Sequence, residues 1–266
     1  MRHKTPTLSV IVPTHDRPIE LMRCLRSIKE HIKIDFELIV VSDTTNEQIV
    51  QVASNFIGEN DQFHMRKNNH GPAFSRNVGI DLARGQFVLI IDDDDEIPGV
   101  GYDDFLNTAL NNTKSVTFGD VIIAREDRLK GVLTSEKPEL LELTKTPFEQ
   151  IWIKNYIFTQ ACIFPAIALA GKRQDVHMKS LEDWDFLLSV YQAAEFKPAH
   201  AIGAIIYKDY VNQGNRRGTT TAANNFEAVL DYLYVYRRWR APSEQLKIMR
   251  ANMLKQNGLD IQAEFL

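Results

Sequence analysis

Short apolar runs alternate with amphipathic segments through the first third of the chain. The runs predict buried strands at Thr7 to Val12, Phe36 to Val41 and Gln86 to Ile91, and a weaker strand is predicted at Gln62 to Arg66. Between them, apolar residues recur every three or four positions and predict three helices, carrying Leu21, Leu25, Ile28 and Ile32, then Ile49, Val52, Ala53 and Phe56, then Phe74, Val78 and Leu82. Such alternation of apolar strands and helices predicts a mostly parallel sheet with helices on both faces.

Residues that favour helix ends mark the predicted boundaries. Asp43, Thr44 or Thr45 is suited to cap the second helix. Gly71-Pro72 opens the third helix, because proline fits the first helical turn, and Gly85 stops it.

The second half of the chain has a less regular pattern. It predicts an antiparallel hairpin of Ser115 to Ala124 with Leu129 to Thr134, a short helix at Pro147 to Asn155, strands at Tyr156 to Phe164 and Ala201 to Tyr207, and a helix at Leu181 to Ala194. Two further helices are predicted at Ala222 to Arg240 and Pro242 to Gln256. We therefore expect one domain over residues 1–221 with a helical extension over residues 222–266.

Composition narrows the class of protein. With 44% hydrophobic and 25% charged residues, the 266-residue chain is typical of soluble globular proteins and not of disordered or fibrous ones. Its 31 basic and 35 acidic residues give a net charge of −4, which argues against nucleic-acid binding. Cys24 and Cys162 are expected to be buried, reduced thiols. No signal-peptide pattern and no run of 18 apolar residues occurs, so we expect a cytoplasmic protein.

Four consecutive aspartates, Asp92 to Asp95, follow the fourth predicted strand. Neighbouring like charges repel by about 1 kcal/mol per pair even in water, so a bound cation would stabilise them. Carboxylate oxygens suit Mg²⁺ and Mn²⁺, and ligands of parallel sheets bind at the carboxyl ends of the strands. A solvated acidic turn is the alternative.

Four fragments carry a family resemblance: LSVIVPTHDRP, FELIVVSDTTNE, HGPAFSRNVGIDLARGQFVLIIDDDDEIP and LEDWDFLL, in this order. Together they resemble the family 2 glycosyltransferases, which are inverting nucleotide-sugar enzymes. The match runs from Leu8 to Leu188 and continues more weakly to Tyr207. It implies a GT-A type α/β fold with a Rossmann-like sheet, a nucleotide-binding half at residues 1–98 and an acceptor-side half at residues 99–221.

The resemblance also implies which residues bind the nucleotide sugar. Pro13, Thr14 and His15 match the loop that walls the base in this family, with His15 where a tyrosine is frequent. Asp43 matches an aspartate that accepts a hydrogen bond from the base; capping a helix is its alternative role. Arg76 and Asn77 match a pair near the base and diphosphate, and tying their helix to the aspartate loop is the alternative for Arg76.

Within the aspartate run, the family pattern is Asp, any residue, Asp, Asp. This implies that Asp92 holds the ribose and contributes to the metal site, that Asp94 binds Mn²⁺ or Mg²⁺, and that Asp95 supports the metal or the acceptor side. Asp93, counted with the nucleotide-sugar-binding residues, takes the variable position and is expected to be solvated. A one-residue slip stays open, because all four residues are identical.

The catalytic pair implied by the resemblance is Glu182-Asp183, with Asp183 as the preferred general base. Without the family, acids at a helix start would be assigned to the helix dipole. Trp184 is expected to line the acceptor pocket or to lie in the core. Arg216 and Arg217 lie in a polar loop that is expected to fold over the diphosphate, with a solvated basic loop as the alternative. Tyr210 or Asn212 stands near the position where the family often has a histidine.

The resemblance implies that the chain transfers a sugar from a nucleoside-diphosphate sugar, most often a UDP-sugar, to the hydroxyl of a glycan or lipid-linked glycan. The expected setting is bacterial surface polysaccharide synthesis, and the alternative is a non-catalytic sugar-nucleotide-binding or scaffold protein. An aspartyl phosphohydrolase is disfavoured by Glu96 after the motif. The aromatic and arginine-rich segment Tyr232 to Arg240 predicts contact with the inner membrane surface, or else packing on the catalytic domain.

Overall fold

The computed structural model of the chain describes residues 5–67, 70–128, 130, 132–134, 137–209 and 225–266. Nine strands are present in these ranges: β1 Leu8–Thr14, β2 Phe36–Ser42, β3 Gln62–Met65, β4 Phe87–Ile90, β5 Val116–Asp127, β6 Val132–Leu133, β7 Glu139–Leu141, β8 Cys162–Pro165 and β9 Phe196–Asp209. The α-helices described are α1 Pro18–His31, α2 Glu47–Ser54, α3 Pro72–Leu82, α4 Tyr102–Leu110, α5 Glu182–Tyr191, α6 Asn225–Arg238 and α7 Glu244–Gln256.

The four N-terminal strands form the parallel part of the sheet, in the order β3-β2-β1-β4. β1 pairs with β2 on one side and with β4 on the other, so Leu8 lies between Phe36 and Phe87. The chain therefore builds outward from β1 in one direction and then returns to its other side. This reversal creates a topological switch point at the carboxyl ends of β1 and β4, where ligands of open α/β sheets bind.

The C-terminal half completes the sheet with antiparallel and long-range pairs. β8 runs antiparallel to both β4 and β5, and β9 pairs in parallel with β5. The predicted hairpin is confirmed as β5 and β6, which pair through Glu126 and Leu133. Glu96 and Ile205 exchange backbone hydrogen bonds of 3.0 and 2.9 Å, which hold the end of the aspartate loop on β9.

Side chains of β1 alternate between two hydrophobic clusters. Val10 and Val12 pack into the cluster that includes residues of α1, whereas Ile11 packs into the cluster with residues of α3 and α5. Both faces of the sheet are thus covered, as the apolar strands predicted. Gly79 lets α3 approach β1 closely, since a Cβ there would lie 2.2 Å from Ile11 Cγ2.

Several local expectations were wrong. Asn46 caps α2, with its side chain accepting a hydrogen bond from the Gln48 N–H at 2.9 Å, so neither Asp43 nor its threonine neighbours cap that helix. The strand predicted at Tyr156 to Phe164 is confined to β8, because a 3₁₀ turn covers Thr159–Ala161. The short helix predicted at Pro147 to Asn155 is present as a 3₁₀ helix over Phe148–Trp152. The sequence pattern also missed α4.

The C-terminal helices pack against α5. Trp184 contacts the rings of Tyr232 and Tyr236, with centroids 5.3 and 5.8 Å apart. Arg250 is fully buried and its Nε donates to the Trp152 carbonyl at 2.7 Å. α6 and α7 are therefore packed into the same hydrophobic core as the part of the chain that precedes them. No helix among the residues the structure describes has the length and apolarity needed to cross a membrane.

Candidate functional site

A cavity of about 720 Å³, called here the large cavity, opens at the switch point. The loop after β1 and the aspartate loop after β4 form its floor, and the N-terminal turn of α3 and the end of β9 form its sides. Its walls include Pro13, Thr14, His15, Asp43, Arg76, Asp92, Asp94 and Asp95, which are eight of the residues expected to bind nucleotide sugar or metal. The fold thus brings these residues, far apart in sequence, to one place.

The aspartate loop alternates in burial. Asp92 and Asp94 are partly exposed and line the large cavity, whereas Asp93 and Asp95 are buried. The loop is a turn at this point, in which the Asp95 N–H donates to the Asp92 carbonyl at 3.1 Å. The alternation favours the frame in which Asp92 and Asp94 face the ligand.

Asp93 corrects the sequence expectation, because it is fully buried and not solvated. Its Oδ2 accepts a hydrogen bond of 2.7 Å from the Thr14 hydroxyl, and its Oδ1 is ion-paired with Arg17. Asp93 is absent from the walls of the large cavity. It joins the loops after β1 and β4 from below, where it has no access to a nucleotide sugar.

Arginines neutralise the partly exposed aspartates. Arg76 holds both carboxylate oxygens of Asp92, at 2.7 and 2.9 Å from Nη2. Asp94 Oδ2 accepts from Arg17 Nη1 and from Arg128 Nη2, each at 2.7 Å. The guanidinium groups therefore supply, in this structure, the positive charge that the sequence argument assigned to a bound cation.

Burial and these contacts separate the pKa of Asp94 from the pKa values of Asp93 and Asp95. Burial would raise the pKa of Asp94, but Arg17 and Arg128 outweigh it and hold that pKa below its usual range. Burial raises the pKa of Asp93, despite Arg17, and it raises the pKa of Asp95 well above normal, with Asp94 adding to the effect. Asp94 thus remains ionised at pH values at which Asp93 and Asp95 bind protons.

Three of the aspartates have the arrangement needed to bind a divalent cation. Carboxylate oxygens of Asp92, Asp94 and Asp95 lie within 4.8 Å of one another. Hard oxygen donors of this kind suit Mg²⁺ and Mn²⁺. The donor set therefore fits the metal that the resemblance implies.

His15 and Asp43 form a pair at the far end of the large cavity. His15 Nδ1 lies 2.6 Å from Asp43 Oδ1. Asp43 is almost fully buried at the end of β2, while the His15 side chain is 45% exposed. A half-exposed ring beside a buried carboxylate offers a flat face and a hydrogen-bond acceptor to the same space. A nucleobase requires both of these to bind.

The Arg-Asn pair of α3 makes mainly structural contacts. Besides binding Asp92, Arg76 Nη1 lies 3.1 Å from Gln174 Oε1 and 3.4 Å from Glu182 Oε1. The alternative role proposed for Arg76, tying α3 to the aspartate loop, is thus present, although the side chain also lines the large cavity. Asn77 instead exchanges two hydrogen bonds of 2.8 Å with the Gln174 backbone, and it is absent from the cavity walls.

A second cavity of about 380 Å³, called here the small cavity, adjoins the first. Asp92 and Asp183 line both cavities, so Asp183 lies where the two spaces meet. Glu182 and Asp183 begin α5 after Leu181, whose φ of 60° is uncommon for a residue other than glycine and turns the chain into the helix. The two acids therefore lie at the helix N-terminus, as predicted.

Asp183 is held by neutral donors. Asn155 Nδ2 donates to its Oδ2 and the Trp184 N–H to its Oδ1, each at 2.8 Å. Burial and the neighbouring Glu182 raise the pKa of Asp183 to about 6, against the opposing effect of Arg76. At neutral pH this carboxylate is mostly ionised, yet it is more basic than an ordinary aspartate.

Trp184 lies in the core and not at the acceptor side. Its side chain is fully buried and its Nε1 donates to the Ile151 carbonyl at 2.7 Å. Two aromatic residues of the segment Tyr232 to Arg240 pack in the same region, since Tyr236 is buried and Trp239 Nε1 donates to Asp185 at 2.7 Å, whereas Tyr234 is exposed. The alternative for that segment, packing on the catalytic domain, is present; membrane contact stays a prediction.

Sequence reasoning missed four polar residues of the site: Arg17, Arg128, Asn155 and Gln160. Gln160 lines both cavities, and its Nε2 donates to Asp92 Oδ2 at 2.7 Å. Arg17 follows His15 within a quoted fragment, so its position was the one available signal. The others stand in segments without a motif. Arg216, Arg217, Tyr210 and Asn212 lie outside the described residues.

Comparison with known proteins agrees with this geometry. The sequence pattern of Glycosyl transferase family 2 matches residues 9–168, more than half of the chain. A GalNAc(5)-diNAcBac-PP-undecaprenol beta-1,3-glucosyltransferase of Campylobacter jejuni is 33% identical over 172 residues, or 63% of this chain and 54% of that protein. The chain thus spans about half the length of this relative. An uncharacterized glycosyltransferase of Haemophilus influenzae is 26% identical over 85% of this chain and 75% of its own length.

Solved structures show the same fold. S. aureus TarS 1-349 in complex with UDP-GlcNAc has a TM-score of 0.63 at 20% identity, covering 93% of this chain and 71% of that one. A mannosyltransferase of Pyrobaculum calidifontis in complex with GDP-Man and Mn²⁺ has a TM-score of 0.60 at 15% identity, covering 96% and 74%. With the matched pattern, the switch-point aspartates and this architecture together, the chain belongs to glycosyl transferase family 2 and has its GT-A fold.

Proposed function

We propose that the protein is a metal-dependent, inverting glycosyltransferase that uses a nucleoside-diphosphate sugar. One observation supports this above all: Asp92, Asp94 and Asp95 share a cavity with Asp183, at the switch point of a family 2 fold. Cation-binding carboxylates and a basic carboxylate in one cavity are the two requirements of in-line sugar transfer from a diphosphate.

The donor is proposed to be a UDP-sugar bound in the large cavity. His15 stacks on the base, Asp43 accepts from its edge, and Asp92 accepts from the ribose hydroxyls. The TarS complex with UDP-GlcNAc supports this choice of nucleotide. Arg216 and Arg217 are proposed to neutralise the diphosphate from the segment outside the described residues.

The divalent cation, Mn²⁺ or Mg²⁺, is proposed to be held by Asp94 with Asp92 and Asp95, where it would stabilise negative charge on the leaving diphosphate. The Mn²⁺ complex of the Pyrobaculum mannosyltransferase supports this assignment. Asp95 is more deeply buried than Asp92 and Asp94 and accepts from the Tyr207 N–H at 3.1 Å, so it also orients the loop on β9.

The acceptor is proposed to bind in the small cavity with its hydroxyl on Asp183. As the hydroxyl oxygen attacks the anomeric carbon, its proton passes to an Asp183 carboxylate oxygen. The bond from the anomeric carbon to the diphosphate oxygen breaks, and its electron pair leaves with the nucleoside diphosphate. Because attack and departure occur on opposite faces of the sugar, the configuration is inverted.

The acceptor class is proposed to be a glycan or lipid-linked glycan of a bacterial surface polysaccharide, handled in the cytoplasm or at the inner face of the membrane. The undecaprenol-linked substrate named for the Campylobacter enzyme supports this class.

A sugar-nucleotide panel tests the proposal and its non-catalytic alternative. Thermal shifts are measured with UDP-, GDP-, dTDP- and CMP-sugars, each with Mn²⁺ and with EDTA. A ligand at about 100 times its Kd adds about 2.7 kcal/mol of stability, which such a scan detects. The Mn²⁺-dependent binder is then incubated with glycan acceptors. Release of nucleoside diphosphate supports the enzyme, and binding without release supports a scaffold protein.

A further inference from the structure

Asp94 Oδ2 is the point at which two guanidinium groups meet. Arg17 reaches it from the turn after β1 and Arg128 from the end of β5, each with an N–O distance of 2.7 Å. This oxygen belongs to the carboxylate group that also fits a divalent cation. A divalent cation on this carboxylate would lie close to both guanidinium groups, and the repulsion among the three cations would weaken its binding while the arginines stay in place.

Both arginines have alternative anchors and access to the large cavity. Arg17 is also ion-paired with the buried Asp93, and Arg128 Nε donates to Glu126 at 2.8 Å. Both line the large cavity, and their side chains are 37% and 18% exposed. Each arginine can therefore release Asp94 while its contact with Asp93 or Glu126 remains. The N–H groups that leave Asp94 can then turn toward an anion in the large cavity.

Arg23 shows what a purely structural arginine looks like in the same region. Its Nε lies 2.9 Å from Glu96 and its Nη1 lies 2.6 Å from Glu126, and its guanidinium stacks 3.7 Å over the Tyr207 ring. It contacts only the main-chain carbonyl of Asp94, at 2.9 Å, and does not line the large cavity. Arg17 and Arg128 differ in both respects.

We propose that Arg17 and Arg128 act as exchangeable counter-cations of Asp94: they compete with the divalent cation for this carboxylate, and they transfer to the donor's diphosphate when nucleotide and metal bind together. The transfer rests on the proposed function, whereas the competition does not. The consequence is coupled binding. Metal alone binds weakly because it must displace two arginines, and the diphosphate strengthens metal binding because it gives those arginines a new partner.

Direct Mn²⁺ titration by electron paramagnetic resonance tests this, with and without UDP, in the wild type, Arg17→Met and Arg128→Met. Lys208→Met is the matched control, because Lys208 lines the same cavity and is exposed but does not contact Asp94 in the structure. Without nucleotide, Arg128→Met is expected to bind Mn²⁺ at least about 5-fold more tightly than the wild type, which is the low end of typical allosteric couplings. The factor by which UDP increases Mn²⁺ affinity is expected to be smaller in this variant by the same amount.

The control separates competition from simple electrostatics. Removing any positive charge near the cavity strengthens cation binding somewhat, so Lys208→Met measures that background. An equal gain in Lys208→Met and Arg128→Met, or no gain in Arg128→Met, would overturn the proposal. Arg17→Met leaves the buried Asp93 without its guanidinium partner and is the variant more at risk of misfolding. If it does not fold, Arg128→Met decides alone, because its loss leaves Glu126 still paired with Arg23.

The two levels of the argument fail differently. If none of the UDP-, GDP-, dTDP- and CMP-sugars of the panel binds the wild type, the proposed function and the transfer to the diphosphate are wrong, while the metal-only gain in Arg128→Met still confirms the competition. If UDP binds but strengthens Mn²⁺ binding equally in all variants, the proposed function stands and the exchange of Arg17 and Arg128 is wrong.

Discussion

The aspartate loop presents three carboxylates to the large cavity and the N-terminus of α5 presents two to the small cavity, but the surroundings of the two groups are opposite. Asp92 and Asp94 accept hydrogen bonds from three guanidinium groups. Within the described residues, Asp183 accepts from an amide side chain and a backbone N–H. Burial raises the pKa of both aspartates. At Asp94 the Arg17 and Arg128 guanidinium groups outweigh it and lower the pKa, whereas at Asp183 the charge of Glu182 adds to it and the pKa rises to about 6.

This difference assigns the two regions different chemistry. A carboxylate that stays ionised through the physiological range is suited to binding cations, and one that titrates near 6 is suited to taking a proton. Both are aspartates at the ends of regular elements, so their partners alone distinguish them. The predictions below test that division.

The largest effect is expected for Asp183→Asn. The amide is nearly isosteric but cannot accept the acceptor's proton, so turnover should fall about 10²- to 10⁴-fold while donor affinity stays almost unchanged. Release of nucleoside diphosphate and calorimetric donor binding measure the two quantities. If Glu182→Gln loses turnover and Asp183→Asn keeps it, the base is Glu182.

Asp94→Asn should remove the Mn²⁺-dependent part of nucleotide affinity. An outer partner of a metal ligand is worth about 10- to 100-fold in affinity, and a ligand itself should be worth more. The fold should survive, since the asparagine carbonyl still accepts from Arg17 or Arg128. Calorimetry with UDP, in Mn²⁺ and in EDTA, gives the result. Equal affinity in both conditions for the wild type would contradict a metal role.

Turnover should depend on pH through Asp183. The base acts only when deprotonated, and burial with Glu182 raises its pKa to about 6. Activity should therefore be full well above pH 6 and fall about 10-fold per unit below it. A pH profile of turnover at saturating donor measures this. An acidic limb centred near pH 4 would show that the environment of Asp183 does not raise its pKa in the complex.

Asn155→Ala should weaken turnover about 10-fold, since a hydrogen bond to a charged group contributes about 1.5–3 kcal/mol. The lost bond stabilised the ionised carboxylate, so the acidic limb of the pH profile should also move to higher pH. Lys154→Ala, at the exposed neighbouring position, is the control. A lower melting temperature with an unmoved limb would mean that Asn155 is only structural.

Asp185→Asn should affect turnover least, although it lies two residues from Asp183. Asp185 is buried and binds Arg238 and Trp239 of the C-terminal region, at 3.0 and 2.7 Å. Losing the charge should lower the free energy of unfolding by about 1 kcal/mol, as for a typical hydrogen bond. Thermal melting and turnover are measured on the same sample. A large loss of turnover in the folded variant would extend the catalytic site to Asp185.

Local pattern was sufficient for the parallel half of the fold. The strands β1, β2 and β4 carry apolar runs and the helices α1 to α3 carry amphipathic repeats, whereas β3 has a weaker pattern. The structure has all seven elements close to the predicted bounds. The position of the aspartates at the end of β4 follows from the same pattern. The quoted fragments added the family and the identity of the acidic residues.

The sequence alone determined the elements of the parallel half, the family and the placement of the four aspartates at a strand end, because each of these is encoded within a few consecutive residues. Only the tertiary structure decided that Asp93 points inward, that Trp184 lies in the core, and which partners each carboxylate has. Arg17 lies 77 residues from Asp94, Arg128 lies 34, and Asn155 lies 28 residues from Asp183. Such contacts depend on how β8 and β9 return to the sheet, and no short-range pattern encodes that return.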